Sequence, residues 1–492
     1  MSFWMRIYRW TERRLGVEQT VLPPLMHPVP KGTGWWYVFG SASLTLFLLQ
    51  VVSGTCLALV YVPAADRAYE SLEYLNYQQD FGWMLRALHF WAASGMVVMV
   101  VVHMTQVFLF GAFKYPRELT WLVGVGLLVL TLGMGFSGQV LRWDQDAYWG
   151  VGVGAAMVGR VPLLGPALVR LVIGGPEIGA GTLSRFFTLH VFIMPGLLIF
   201  LLVVHLHLVL KNGISDPPVP GDRVDKNTYD AEYAKKVADG EPFFPDPLLK
   251  DAIFSVGVIF AVVILSLLFG PFGPSDPPDP SIIDAEPRPE WYFLPLFALL
   301  ALSPPNLETF LMLGLPPVLI LILASVPFVA GKGDRSPRRR PVAVLAVILI
   351  AMSVGVLGWL GYTSPWSPIM TAWSGTPVPE NMVRNLSPLE LTGAAVLQNK
   401  TCRNCHALDG LGGRRGPDLT NVATRLTHDE LIRQVVQGGG NMPAYGKQLR
   451  PYEIDALVAF LETLKPSYDP SAQPSDTPVK TETGDRPLTA IP

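Results

Sequence analysis

Four histidines stand inside two of the most apolar stretches of the chain. His89 and His103 bracket HFWAASGMVVMVVVH, and His190 and His205 bracket HVFIMPGLLIFLLVVH. An ionisable side chain in a bilayer-length apolar run is costly and by default marks function. Fourteen residues at 100° each leave His89 and His103 about 40° out of phase and roughly 21 Å apart along one helix. Both therefore face one way, one near each end. The second run repeats the arrangement at an interval of 15. Two antiparallel helices so marked meet as two pairs, His89 with His190 and His103 with His205. Each pair can hold one iron from opposite faces of a porphyrin, stacking two haems across a membrane.

Two further runs carry glycines at a matching interval: Gly40 and Gly54, then Gly124 and Gly138. A flat macrocycle needs neighbouring backbone to come close, and glycine allows it. Two helices thus supply ligands and two supply clearance. Hydrogen-bonded core histidines would explain one such residue, but four at matched depth favour ligands. His207 lies on a different side of the helix from His205, and His27 and His428 sit in polar contexts, so none is assigned a ligand role. Cys56 reads as a small core residue.

The C-terminal part offers a different chemistry. In CRNCH, Cys402 and Cys405 can bond the vinyl groups of a haem while His406 binds its iron. A helical stretch at 388–400 precedes it, Met442 in NMPAYG follows thirty-six residues after His406, and PYEIDALVAFLETL closes the unit as a helix. The pattern resembles a class I monohaem cytochrome c, which implies His406 and Met442 as axial ligands. Haem is attached to such domains outside the cytoplasm.

The elements that must position these residues follow from composition. Of 492 residues, 50% are hydrophobic and 15% charged, and the net charge is -2; the mean hydropathy is +0.36. This excludes an ordinary soluble protein and implies a polytopic membrane protein. Spans of roughly 20 residues or more are expected at 34–61, 83–110, 118–140, 186–210, 251–270, 309–330 and 341–361. Short helices along one surface are expected at 141–182. The basic, aromatic N-terminus FWMRIYRWTERRLG reads as an amphipathic surface helix without a signal peptide. The fold class is all-α: a seven-helix bundle and a small helical domain. The organisation reads as a four-helix di-haem core at 1–215, a three-helix part at 216–361, a linker at 362–385, the cytochrome c domain at 386–467 and a disordered tail at 468–492. The loops on the N-terminal side hold 18 Lys and Arg against 7 on the other. The positive-inside rule then places the N-terminus in the cytoplasm and the c domain outside a cytoplasmic membrane.

Across residues 1–361 the sequence resembles cytochrome b of the quinol:cytochrome c oxidoreductases, nearest the photosynthetic cytochrome bf branch. The 15-residue second interval, KYPRELTW (114–121), LRWDQDAYW (141–149), KNGIS (211–215) and PEWYFLP (289–295) carry the resemblance. That branch splits the core into four-helix and three-helix proteins, so this chain looks like a fusion joined at 211–250. The resemblance implies quinol oxidation at the outer face. Glu290 would be the proton acceptor with Tyr292 beside it, and Trp143, Asp144, Tyr148, Gly150 and Pro289 would line the quinone site. Arg86 joins the four glycines among the residues expected around the cofactor. The implied cofactors are two non-covalent bis-histidine haems b and one covalent His/Met haem c. One electron would reach the c haem through a separate Rieske iron–sulfur subunit, since this chain has no Rieske-type cluster. The other would cross the membrane and reduce quinone near the inner face, for which Lys211, Arg223 and Asp225 are candidates.

A downstream cytochrome c or terminal oxidase, membrane lipid and a dimeric complex are the expected partners, and nucleic acid is not. Three positions depart from the branch. Arg142 replaces a proline, Gln139 replaces an aromatic residue after Gly138, and Val38 stands where a cysteine holds an extra covalent haem, so that haem is expected to be missing. A rival reading is a haem-bearing anchor that conducts electrons for another dehydrogenase. PEWY speaks against it, because a wire needs no proton acceptor.

Overall fold

The structure is a computed structural model and describes residues 3–16, 18, 22–175, 178–279, 288–363, 377–400, 402–412, 416–438, 442, 444–446 and 448–465. The tail at 468–492 and most of the linker lie outside the described residues. Contacts divide the chain into two compact units. One comprises Met1–Met370 with Gln437–Tyr445, and the other Thr371–Val436 with Gly446–Pro492.

The first unit begins with α1 (Phe3–Leu15), none of whose residues is buried. Its spans are α2 (Phe39–Ala58), α4 (Gly82–Leu109), α5 (Glu118–Val140), α8 (Ala180–Asn212), α10 (Asp246–Phe269) and α14 (Pro341–Thr363), with α3 (Ala68–Tyr77) between the first two. At 1.5 Å per residue even the 20 residues of α2 reach about 30 Å, the thickness of the bilayer's apolar core. The connection after α5 forms α6 (Gln145–Gly159) and α7 (Gly165–Ile173), as expected. The hydrophilic break contains α9 (Tyr229–Ala238).

The structure refines one expected span and corrects the reading of Cys56. The span expected at 309–330 is two helices, α12 (Pro305–Leu313) and α13 (Leu315–Val329), bent by 44°. Pro316 and Pro317, lacking amide hydrogens, cannot continue the ladder across Gly314. The segment ahead of it is partly helical, with an apolar helix α11 over Trp291–Leu302. Cys56 is exposed rather than core, because a membrane helix is apolar all round and hydrophobicity does not mark its buried side.

Buried cations brace the two halves and the segment that joins them. Lys114 is 2% exposed and donates to the carbonyls of Lys332, Gly333 and Asp334 at 2.7, 3.0 and 3.1 Å. Arg335 is paired with Asp216 at 2.7 Å and Asp222 at 3.2 Å. Burial lowers the Lys114 ammonium to about 8, with Arg340 and Arg335 pushing the same way. Three carbonyl acceptors offset that penalty.

In the second unit, α15 (Pro388–Asn399) packs against α17 (Pro451–Thr463), with α16 (His428–Gln437) between them in sequence. A Cβ on Gly393 would lie 1.9 Å from the carbonyl oxygen of Ala456, so glycine is what lets these two helices touch. A two-stranded ladder pairs Ala407–Leu408 with Leu411–Gly412.

Candidate haem and quinol sites

His89 on α4 and His190 on α8 face each other, their ring centroids 6.4 Å apart and their planes at 75°. Metal–imidazole bonds of about 2 Å on each side account for roughly 4 Å of this separation, and the two ring radii account for the rest. The pair therefore fits one bis-imidazole iron. Each ring is oriented from behind by a serine. His89 Nδ1 is 2.9 Å from Ser53 Oγ, whose own hydrogen goes to the Leu49 carbonyl at 2.6 Å. His190 Nδ1 is 3.0 Å from Ser137 Oγ, which donates to the Met134 carbonyl at 3.1 Å. A hydroxyl has one hydrogen, so each serine accepts from the ring. Both Nδ1 atoms are then protonated, leaving Nε2 as the ligating atom.

The four glycines face the four histidines one to one. The nearest atom to a Cβ built on Gly40, Gly54, Gly124 or Gly138 is the Cε1 of His103, His89, His205 or His190, at 3.3, 3.0, 3.6 and 2.8 Å respectively. The clearance expected for a macrocycle is therefore first of all clearance for the ligand rings. Ser53–Gly54 and Ser137–Gly138 are the same dipeptide doing the same two tasks. Serine went unnoticed in the sequence, although that repeated pair was visible there. The His103/His205 pair has no such dipeptide, since Phe39 and Val123 precede its glycines. His103 Nδ1 is buried with no hydrogen-bond partner among the described residues.

The 15-residue interval has a local cause. Residues Leu189–Ile193 form a single π-turn in which the Met194 amide donates to the Leu189 carbonyl. Pro195, next along, cannot donate to Val191. A π-turn absorbs one extra residue, so the longer interval on α8 stays in step with the 14 on α4.

Tyr292 meets α5 one turn from Gly138. A Cβ on Gly135 would lie 2.2 Å from its hydroxyl. Glu290 beside it is 14% exposed and lies 3.7 Å from Arg142 Nη1. Burial raises the Glu290 carboxyl above its usual range, with Arg142 opposing and Asp144 and Asp146 reinforcing. Gln139 donates to the Arg288 carbonyl at 3.2 Å and so ties α5 to the PEWY loop. Pro289, Tyr148 and Gly150 are half-buried, and no atom lies within 4 Å of where a Cβ on Gly150 would be. Trp143 and Asp144 are 2% and 0% exposed. The Trp143 indole donates to the Ala65 carbonyl, and Asp144 caps α6 through the Ala147 amide. Both side chains are thus buried and bonded within the fold. Arg86 is also tied up in the fold, donating to Asn76 and to the carbonyls of Phe272 and Gly273.

On the opposite side a cavity of about 380 Å³ is lined by Tyr115, Lys211, Tyr229, Asp230 and Tyr233 among others. Lys211 belongs to it. Arg223 instead forms a β-bridge with Asp334, and Asp225 accepts from the Asn227 amide.

In the second unit, the amides of Cys405 and His406 both donate to the Cys402 carbonyl, at 3.1 and 3.0 Å, which winds CRNCH into one tight turn. His406 Nδ1 donates to the Pro417 carbonyl at 2.7 Å, so Nε2 is again the free nitrogen. A Cβ on Gly416 would lie 2.4 Å from the ring. Cys402 and Cys405 are half-buried and not joined in a disulfide. These residues fit a covalent haem. Met442 falls in the Gln437–Tyr445 segment, grouped with the first unit, and its ligand role rests on the sequence pattern.

Three family models match the chain. The family model Cytochrome b/b6/petB matches residues 25–213 and Cytochrome b(C-terminal)/b6/petD matches 277–376. Cytochrome C oxidase, cbb3-type, subunit III matches 389–461. Cytochrome b6 of Cyanothece sp. (strain PCC 7425 / ATCC 29141) is 37% identical over 212 residues, 43% of this chain and 96% of that protein. Cytochrome b6 of Tupiella akineta is 39% identical over 212 residues, 43% of this chain and 99% of that protein. A solved chain described as Hyperthermophilic respiratory Complex III superposes with a TM-score of 0.63 and 29% identity, over 73% of this chain and 91% of that one. The bf-like motifs and the b6 relatives point the same way: the chain belongs to the cytochrome b/b6 family of multi-pass electron-transport proteins, with both halves of the b core and a cytochrome c domain on one polypeptide.

Proposed function

We propose that this chain is the cytochrome b/c subunit of a quinol:cytochrome c oxidoreductase, oxidising quinol at the extracytoplasmic face and coupling electron transfer to proton translocation. The observation that carries the reading is the seating of the PEWY loop on α5, with Tyr292 at Gly135 and His190 at Gly138. The loop that carries Glu290 is thus seated one helical turn from the glycine that backs His190. Quinol loses two protons as it loses two electrons, and the half-buried Glu290 carboxylate can take one of them. Burial makes it a stronger base than a carboxylate in water. Tyr148, Gly150 and Pro289 border the space for the ring.

His89/His190 and His103/His205 would hold two haems b, and Cys402, Cys405, His406 and Met442 one haem c; these supply the one-electron chemistry. A separate Rieske subunit, a downstream cytochrome c or oxidase, and a dimeric assembly in the cytoplasmic membrane complete the proposal. The c domain stands outside. Quinone reduction near the inner face is assigned to the side of the Lys211 cavity.

The test is quinol-dependent reduction of a soluble c-type cytochrome by the purified complex. Turnover that is abolished by withdrawing the iron–sulfur subunit is expected. A complex that reduces its b haems only from a separate dehydrogenase, and never from quinol, would instead be the electron-conducting anchor.

A further inference from the structure

Arg142 is one cation shared among three carboxylates of unequal access. Its Nε and Nη2 donate to Asp144 Oδ2 at 2.9 and 2.5 Å, and Nη2 also donates to Asp146 Oδ2 at 3.2 Å. Its Nη1 lies 3.7 Å from Glu290 Oε1. The Asp144 side chain is wholly buried, that of Glu290 is 14% exposed, and that of Asp146 is 37% exposed.

The guanidinium sits in a built seat. A Cβ on Gly273 would lie 2.7 Å from its Nε, and Gly273 has a φ of +64° that suits glycine. Asp144 is the fixed partner, because it also accepts from the amides of Ala147 and Ser275 at 2.9 Å each. Glu290, beyond hydrogen-bonding distance, is attracted but not held.

We propose that Arg142 is a positioning residue of the quinol site: it keeps Glu290 as a carboxylate facing the quinol, while Asp146 at the rim competes for the same guanidinium. The inference rests on Glu290 being the proton acceptor. In the step concerned, a quinol O–H bond breaks and an O–H bond forms on Glu290. The quinol oxygen keeps the electron pair, and no electron is transferred. Glu290 becomes neutral, and Arg142 is left to Asp144 and Asp146.

The charged and titratable groups around Glu290 are Arg142 and Asp144 from the turn after α5 and Asp146 from the first turn of α6, with Arg288 and Tyr292 from its own segment. The Arg288 guanidinium donates to the Gly361 and Tyr362 carbonyls. Removing the Arg142 charge therefore makes Glu290 easier to protonate, and removing the Asp146 charge makes it harder.

The experiment measures quinol oxidation by the purified complex across pH for Arg142→Gln and Asp146→Asn. The acid-side limb should move to higher pH in the first and to lower pH in the second. At the wild-type half-point, Arg142→Gln should be slower by roughly tenfold, as when an opposite charge within about 4–6 Å is lost. If Arg142→Gln fails to assemble, the partly exposed Asp146→Asn decides alone: a limb that stays in place overturns the inference. Shifts of the same sign in both variants, or uniform loss with unmoved limbs, also overturn it. Full activity in Glu290→Gln would instead remove the underlying reading, so the two failures are distinguishable.

Discussion

Tyr292 and His190 press on the same helix one turn apart, the tyrosine at Gly135 and the imidazole at Gly138. The helix that backs His190 also seats the loop that carries Glu290, so one backbone positions both. Clearance is tight at this end and looser at the other. A methyl group on Gly138 would meet His190 at 2.8 Å, whereas one on Gly124 would meet His205 at 3.6 Å, an ordinary contact. Gly138→Ala should therefore displace His190 and reduce the outer b haem, while Gly124→Ala keeps both. Redox-resolved difference spectra of the two variants check this, and equal occupancy in both would refute the clearance argument.

Haem stoichiometry follows from the ligand count. Four paired histidines and one C-x-x-C-H predict two haems b and one haem c per chain. Pyridine haemochrome analysis should give a b:c ratio of two, and a ratio of one or below would sink the assignment. Haem-stained denaturing gels should show covalent haem in the C-terminal fragment alone. Val38, 1% exposed at the start of α2, has no thiol to offer. A stained fragment from residues 1–361 would refute that expectation.

Much of this was legible because it is local. The histidine intervals, CRNCH and PEWY each lie within one short segment, and helical periodicity converts their spacing into direction. What escaped depends on partners far along the chain. Ser53 and Ser137 orient rings 36 and 53 residues away, and a serine in an apolar helix looks no different when it bonds only its own backbone. Arg142 could be read as a departure from its family, but not as the hub of Asp144, Asp146 and Glu290. The exposed Cys56 shows the converse limit, since lipid and core accept the same side chains. The π-turn at His190 was half visible: Pro195 and the interval of 15 signalled it together, and neither did alone.

Met442→Ala should leave the c haem attached, because the thioether bonds come from Cys402 and Cys405. It should lower the midpoint potential, since a thioether ligand favours ferrous iron and raises the potential. Equilibrium redox titration of the c band checks this. An unchanged potential would remove Met442 from the iron, and Met382 would be tested next.

The outer serines give a prediction that separates orientation from ligation. Ser137→Ala removes the acceptor of His190 Nδ1 and leaves the buried ring only the Met134 carbonyl as a partner, a loss of up to about 1–3 kcal/mol. Haem should still bind, because Nε2 is untouched, but the outer b haem should shift in potential and loosen on heating. Val123, at the corresponding place on the inner side, offers no hydroxyl, so Val123→Ala should leave the inner haem's potential unchanged. Potentials of the two b haems resolved in one titration decide it, and an unmoved outer potential in Ser137→Ala would mean that the serine does not tune the ligand.

Glu290→Gln keeps size and hydrogen bonding but removes the proton acceptor. Burial raises the Glu290 carboxyl, and Arg142 only partly restores it. A base must be ionised to accept a proton, so wild-type activity should rise with pH as Glu290 loses its own proton and level off above that point. In Glu290→Gln, turnover should fall by roughly 10²-fold, the scale of general-base catalysis, and the acid-side limb should vanish because the titrating group is gone. The haem spectra should not change, since no ligand is touched. Asp144 cannot readily replace it, being fully buried and already bonded to Arg142 and two amides. Near wild-type turnover with the limb intact would strip Glu290 of its role and make the rim carboxylate of Asp146 the next acceptor to test.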